Sequence, residues 1–301
     1  MNPDAAAFIN EDVVELAIFD IDGPVTQPES RSIEQYEILD LMLDFILERG
    51  YVSYNTGRAS VVAHNRVIAP LLSWSIARGV NPQDVSGRIS IVAEKGGVTS
   101  FWDGERGQWN HRIDPEMQVP ADLRDAVLDL LRSDPEFQEY IFYDNDKETM
   151  VSVEMRHETS ARAPVPVTVD VFRPIAERFA TEVRQLAKGR GYLNLEVDCT
   201  TIAVDIQSHD VGKDLGARLA FGWLDELGKR VKHVHCFGDS KSDVAMAVEA
   251  HSIMSRRFED AGERVMYVHV GDPLAIDGGF QIRIFPRMYA RGTVAYLRAL
   301  S

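Results

Sequence analysis

An apolar run ends in two carboxylates one residue apart, Ala17-Ile18-Phe19-Asp20-Ile21-Asp22, followed at once by Gly23-Pro24. Strand side chains alternate faces, so Asp20 and Asp22 point the same way while the chain stays extended, and Gly23-Pro24 halts the strand. Two like charges on one face repel. A bound cation, protonation of one of them, or full exposure to water would offset the repulsion. The pair alone does not choose among these. Further along, Thr56-Gly57-Arg58 supplies a hydroxyl and a guanidinium, Lys213 an ammonium, and Gly238-Asp239-Ser240-Lys241-Ser242-Asp243 two more carboxylates. Carboxylates suit a hard cation, whereas a hydroxyl and a lysine suit an anion. This set fits Mg2+ with a phosphate, because Mg2+ takes one or two carboxylates together with phosphate oxygens and water.

Each of these groups falls where an element should end. Residues 13–19 are nearly continuous in apolar side chains, as in a strand covered on both faces of a parallel sheet. Ile33, Tyr36, Leu39, Leu43 and Ile46 recur at helical spacing up to Gly50, and residues 51–54 form a second strand that delivers Thr56, completing a βαβ unit. A helical region over about 60–78 is interrupted by Asn81-Pro82. Residues 89–93 and 98–102 read as short strands, and 103–114 as loop. Over 113–207 the order becomes helix (123–131), strands (140–143, 150–155), helix (175–187), strands (193–197, 201–206), an α+β insert with an antiparallel sheet.

Alternating order resumes at Lys213, at the start of a helix where exposed amides and the dipole favour an anion. A strand over 231–237 ends at Gly238-Asp239, a short helix covers 242–250, a strand 265–270, and a last helix 292–300. In an open parallel sheet, ligands gather at the carboxyl ends of the strands. The expected fold class is therefore α/β, with a Rossmann-like parallel-sheet domain of residues 1–112 and 208–301, interrupted by an α+β domain over 113–207.

The chain has 301 residues, 45% hydrophobic and 26% charged, which suits a soluble globular protein and excludes disorder or a collagen-like repeat as its main character. A formal net charge of -15 disfavours nucleic acid and anionic membrane as partners. A small anionic substrate stays compatible if one cleft reverses the field locally. Cys199 and Cys236 are the two cysteines, without CxxC or zinc spacing, and are expected to be buried thiols in a reducing compartment. The opening residues, with Asp4, Glu11 and Asp12, lack a basic start before an apolar core, so no secretory leader is expected. No apolar run approaches the roughly 18 residues of a membrane span. A cytoplasmic location is the expectation.

Asp20-Ile21-Asp22-Gly23, Thr56 at a strand end, Lys213, and Gly238-Asp239 with Asp243 occur in the order of the four motifs of the haloacid dehalogenase superfamily of aspartate-nucleophile phosphatases, and the chain resembles that family. An insert between Thr56 and Lys213 is similar to the C2-capped branch of Cof-type, sucrose-phosphate, trehalose-phosphate and mannosyl-phosphoglycerate phosphatases and phosphomannomutases. An αββ unit used twice most resembles the C2B cap. The resemblance implies that Asp20 is the nucleophile and Asp22 the general acid and base. It implies Mg2+ at a site of Asp20, Asp22 (through its main-chain carbonyl), Asp239 and Asp243, with Asp243 orienting Lys213 or a water on the metal. Thr56, Gly57 and Lys213 would hold the phosphoryl oxygens. Arg58, with Glu154 and Arg156 of the cap, would meet the leaving group as the cap closes over it.

Each residue alone has an ordinary alternative: Thr56 as a turn residue, Lys213 as a solvated helix start, Asp239 and Asp243 as turn and helix-end acids. Only the joint occurrence is specific. Two positions depart from the family pattern, Pro24 where threonine is common and Ser242 where many relatives carry asparagine. His233 and His235 read as hydrogen-bonded strand residues, Trp102 and Trp109 as packing, and Glu154, Arg156 and His157 more readily as an exposed sheet face than as contacts to the leaving group. The expected function is a Mg2+-dependent phosphomonoesterase acting on a small phosphorylated metabolite, foremost a sugar phosphate. The competing expectations are a phosphomannomutase-like phosphotransferase and a catalytically silent binding or regulatory protein of the same fold. Asp22 disfavours dehalogenation, since a halide needs no general acid.

Overall fold

The computed structural model describes residues 12–28, 30–156 and 167–300. Asp4, Glu11 and His157 lie outside the described residues. In chain order the elements are β1 (Val13–Phe19), α1 (Glu37–Glu48), β2 (Gly50–Asn55), then α2 (Ser60–Ala63) and α3 (Ala69–Ala77) joined by a π turn (His64–Ile68). There follow α4 (Pro82–Ser86), β3 (Ile89–Ala93), β4 (Val98–Asp103), β5 (Gln108–Ile113), α5 (Ala121–Ser133), α6 (Pro135–Tyr140), β6 (Ile141–Tyr143) and β7 (Val151–Met155). The remainder comprises α7 (Val169–Gly189), β8 (Leu195–Cys199), β9 (Ala203–Ser208), α8 (Lys213–Glu226), β10 (Arg230–Gly238), α9 (Val244–Ser255), α10 (Ala261–Arg264), β11 (Val265–His269), β12 (Gln281–Ile284) and α11 (Ala290–Leu300).

The chain divides into two compact units, one of residues up to Arg112 and from Gly212 onward, the other of Ile113–Val211. The first holds an eight-stranded sheet in the order β12-β11-β10-β1-β2-β3-β4-β5. β1 pairs in parallel with both β10 and β2, and β4 runs antiparallel to β3. Alternation along β1 sends Ala17 and Phe19 to one face and Leu16 and Ile18 to the other. The first pair joins a core with Met42 of α1, Leu71 of α3 and Leu297 of α11, and the second joins Phe221 of α8 and Met246 of α9. Burial on both faces explains why β1 lacks polar alternation. Strand order runs outward from β1 through β2 and β3 on one side, and through β10, β11 and β12 on the other. The carboxyl ends of β1 and β10 therefore flank a topological switch point, the crevice where open α/β sheets bind ligands.

The second unit is a four-stranded antiparallel sheet, β6-β7-β9-β8. Its core joins Leu123 and Val127 of α5, Phe137 of α6, and Phe179 and Val183 of α7 to Val153 and Ile206 of the sheet. Phe137 and Phe179 meet edge to face at 5.0 Å. No helix among the described residues is long and apolar enough to cross a membrane.

Several local expectations needed correction. Residues 108–113 form β5 rather than loop, and β12 had no sequence signal. Both are sheet-edge strands with largely exposed side chains, so neither shows a buried face from which to read a period. α6 is short, but its start is encoded, since Asp134 caps it by accepting from Glu136 N and Pro135 occupies its first turn. Ile33 is buried without being helical and α1 begins at Glu37, with Tyr36 64% exposed. Cys199 is exposed on β8, whereas Cys236 is buried.

Candidate active site

Asp20 is the first residue past β1, and its N–H donates to Phe237 O of β10 at 2.9 Å. That bond ties it to the strand that delivers Asp239. The Lys213 ammonium, at the first residue of α8, stands 2.7 Å from Asp20 Oδ1 and 2.9 Å from Asp243 Oδ1, and donates to Asn55 O at 2.8 Å. Asn55 Nδ2 donates back to Lys213 O at 2.7 Å. The end of β2 and the start of α8 thus clasp each other through one buried amide and one buried ammonium.

Asp243 is fully buried, and its Oδ2 accepts from Asp239 N (3.2 Å), Ser240 N (3.0 Å) and Ser240 Oγ (2.7 Å). It shapes the loop that presents Asp239. Ser242 reaches the same loop through a 2.8 Å hydroxyl contact with Ser240. Asp22 lies opposite Thr26 in an isolated bridge, and Gly23 N donates to Thr26 O at 2.9 Å, closing the turn that contains Pro24. Gly23 has φ +94°, and a Cβ there would overlap the Asp239 carboxylate, so the turn demands glycine twice over. Arg58 Nε donates to Asp22 Oδ2 at 2.7 Å. The buried Thr56 accepts at Oγ1 from Arg58 N, at 3.1 Å.

Two features lay beyond the sequence expectations. Asn55 carried only a weak signal, an amide closing an apolar strand. Glu94 and Lys95 both adopt left-handed backbone, φ 50° and 56°. Lys95 N donates to Thr56 O at 3.0 Å, while Lys95 O accepts from Gly212 N at 2.8 Å. This strained step spans the Thr56 loop and the start of α8, and strain of this sort costs about 1–3 kcal/mol wherever its surroundings do not impose it.

Electrostatics follow from burial. Burial raises the Asp20 carboxyl well above the usual carboxylate range; Lys213 opposes the rise, and Asp243, Asp22 and Asp239 add to it. Burial, then the charge of Asp243, pushes Asp239 up to about 7 against the pull of Lys213. Lys213 would be lowered by burial, yet Asp20 and Asp243 raise it and keep it charged. Asp20, Asp239 and Asp243 each offer an oxygen within 4.8 Å of the others. Carboxylates crowded this closely, with positive charge in deficit, fit a hard divalent cation.

Glu154 and Arg156 belong to the second unit. Glu154 is buried on β7, opposite Phe142 and Ala203. Arg156 donates through Nη2 to Gln138 O (3.3 Å) and Ile141 O (3.2 Å), bracing α6 against β6. His235 is buried between Tyr296 Oη (2.9 Å from Nδ1) and Glu15 Oε2 (3.3 Å from Nε2), a structural setting. Trp102 and Trp109 pack edge to face, 5.9 Å apart.

No family model matches the sequence, and no curated protein does. Solved structures do match in fold. The C-terminal domain of trehalose-6-phosphate phosphatase from C. albicans superposes with TM-score 0.63 at 12% identity, covering 96% of this chain and 93% of that one. A haloacid dehalogenase-like hydrolase from Bacteroides thetaiotaomicron gives 0.56 at 11%, covering 96% and 100%. The IMP-nucleotidase of Plasmodium falciparum gives 0.50 at 10%, covering 96% and 70%. The chain has the haloacid dehalogenase-like α/β fold with an inserted domain.

Proposed function

We propose that this chain is a Mg2+-dependent phosphomonoesterase that hydrolyses a small phosphorylated metabolite, foremost a sugar phosphate, through an aspartyl-phosphate on Asp20. The observation that carries the proposal is the placement of the Lys213 ammonium between Asp20 and Asp243, beside Asp239, at the switch point of the sheet. An ammonium and a cluster of carboxylates at one strand end form a receptor for a phosphate and its counter-ion.

Asp20, the Asp22 main-chain carbonyl and Asp239 would hold Mg2+, which when bound neutralises phosphoryl charge and so eases the approach of one anion to another. An Asp20 carboxylate oxygen attacks phosphorus in line while the bond to the leaving oxygen breaks. Asp22 gives that oxygen its proton. A water then attacks the aspartyl-phosphate, Asp22 takes its proton, and inorganic phosphate leaves with Asp20 restored. Lys213, the Thr56 hydroxyl and the Gly57 amide fix the phosphoryl oxygens. Asp243 positions Lys213 and the Asp239 loop. Arg58 acts first as the partner that orients Asp22, because it already occupies Asp22 Oδ2.

The likeness to a trehalose-6-phosphate phosphatase supports a sugar phosphate, and the likeness to an IMP-nucleotidase keeps nucleotides in the comparison. The deciding experiment is hydrolysis of p-nitrophenyl phosphate with and without Mg2+, beside Asp20→Asn. Metal-dependent turnover abolished by the variant is expected; its absence sinks the enzyme reading in favour of a silent binding protein. A panel of hexose, disaccharide and nucleoside monophosphates then ranks leaving groups by kcat/KM. Isomerised phosphosugar in place of free phosphate marks a phosphotransferase.

A further inference from the structure

A cavity of about 140 Å3 lies in the first unit between α8 and the β3–β4 end of the sheet, away from the carboxyl ends of the strands. Its floor carries the hydroxyls of Ser90 and Thr99 beside Val92 and Phe101, where a covered sheet face is ordinarily wholly apolar. Ser90 donates to Ser53 at 2.9 Å, with both residues buried, which leaves acceptor positions on Ser90 unused. The neighbouring Thr99 hydroxyl has no protein partner among the described residues.

Phe101 and Trp223 form the walls, and Arg112 stands at the mouth with its guanidinium 4.6 Å from the Phe101 ring centre. Among the described residues no carboxylate pairs with Arg112, whereas the other lining arginine, Arg218, is held by Asp214 and Glu249. Gly222 opens the helix side. It has no crowding to avoid, since a Cβ there would meet nothing within 4 Å, and glycine inside a helix costs about 1 kcal/mol relative to alanine. Gly222 is exposed and borders the cavity, so a larger side chain there stands at its edge.

We infer that this cavity is a binding site for a short monocarboxylate. Its carboxylate pairs with the stacked Arg112 guanidinium, its few carbons pack on Trp223 and Phe101, and a hydroxyl on the ligand would find Thr99 and Ser90. One water needs about 10–15 Å3 of such space, so the volume admits a ligand of several heavy atoms. Glu226 at the rim and the net charge of -15 disfavour a second negative charge on the ligand. The site is separate from the proposed phosphatase centre, and its test requires no turnover.

The test is titration of the full chain with propionate, butyrate and 3-hydroxybutyrate at constant ionic strength, read by tryptophan emission and by Tm. A saturable response with a dissociation constant of about 1 mM is expected, and a rise in Tm of about 2 °C at tenfold excess. Gly222→Leu crowds the cavity edge while favouring the helix, and Arg112→Gln removes the charge from an exposed edge strand. Each should weaken binding at least tenfold with Tm kept or raised. Trp223→Phe should lose the emission response and keep the Tm shift. No saturable response in the parent chain, or an equal response in Gly222→Leu or Arg112→Gln, overturns the inference.

Discussion

Lys213 Nζ lies 2.7 Å from Asp20 Oδ1 and 2.9 Å from Asp243 Oδ1, so a single buried ammonium serves two carboxylates, one just past β1 and one at the start of α9. Removing it leaves both without their cation. Breaking a buried pair from one side typically costs about 3–5 kcal/mol. Lys213→Gln is therefore expected to lose about 3 kcal/mol in Mg2+-free urea unfolding, and turnover of p-nitrophenyl phosphate by a factor of about 100 or more. Adding Asp20→Asn to it should recover much of the stability and none of the activity. A Lys213→Gln protein as stable as the parent would show that the pair contributes nothing to the fold.

Arg58 and Asp22 meet at 2.7 Å although they are 36 residues apart in sequence. If Arg58 serves by orienting Asp22, Arg58→Gln should lower kcat by about tenfold with KM nearly unchanged, and should alter the pH profile of kcat. A substrate contact would instead raise KM at constant kcat. Asp22→Asn, which removes the proton carrier itself, should lower kcat by about 100-fold or more. Steady-state kinetics across pH on the three proteins separates the roles.

The strand ends that carry Asp20 and Asp239 were legible because a largely apolar run that closes on an Asp-rich glycine turn has few other meanings in an α/β chain. Lys213 was legible as the start of a helix after a change in pattern. The pairing of Arg58 with Asp22 was not, because it depends on how the turn after β2 lies beside the turn after β1 and has no periodic signature. Asn55 and the Glu94-Lys95 step escaped for a related reason. Their effect comes largely from main-chain groups, the Asn55 and Lys213 carbonyls and the left-handed Glu94-Lys95 backbone, which residue type scarcely encodes. β5 and β12 escaped because an exposed edge strand has no buried face to impose alternation.

Glu15 is the one charged residue in the otherwise apolar β1, and it sits among His235 (3.3 Å), Lys232 (3.4 Å) and Arg49 (3.6 Å). Burial alone would raise its carboxyl; the His235 hydrogen bond and the charges of His235, Arg49 and Lys232 outweigh it and hold the group down at about 2, against an ordinary 4.5. A lowered folded value means that the stabilisation is complete above about pH 4.5 and is lost as pH falls through about 2. Glu15→Gln should cost about 2–3 kcal/mol at neutral pH and flatten the decline of stability between about pH 4.5 and 2. Urea midpoints measured across that window check the sign, and an unchanged slope in the variant would refute it.

Gly23 combines φ +94° with the Asp239 carboxylate lying where its Cβ would project. Alanine there must adopt a disfavoured backbone and push Asp239 aside, so the two costs fall on different observables. The backbone term should lower stability by about 1–3 kcal/mol, read by urea unfolding without metal. Displacement of Asp239 should weaken the rise in Tm on adding Mg2+, which acts through preferential binding to the folded state. Gly104→Ala is the matched control, since its Cβ would meet nothing within 4 Å; its stability should stay within about 0.5 kcal/mol of the parent, with the Mg2+ response intact. A Gly23→Ala protein that is destabilised yet keeps the full Mg2+ shift would separate the turn from the cation site and remove Asp239 from the proposed ligand set.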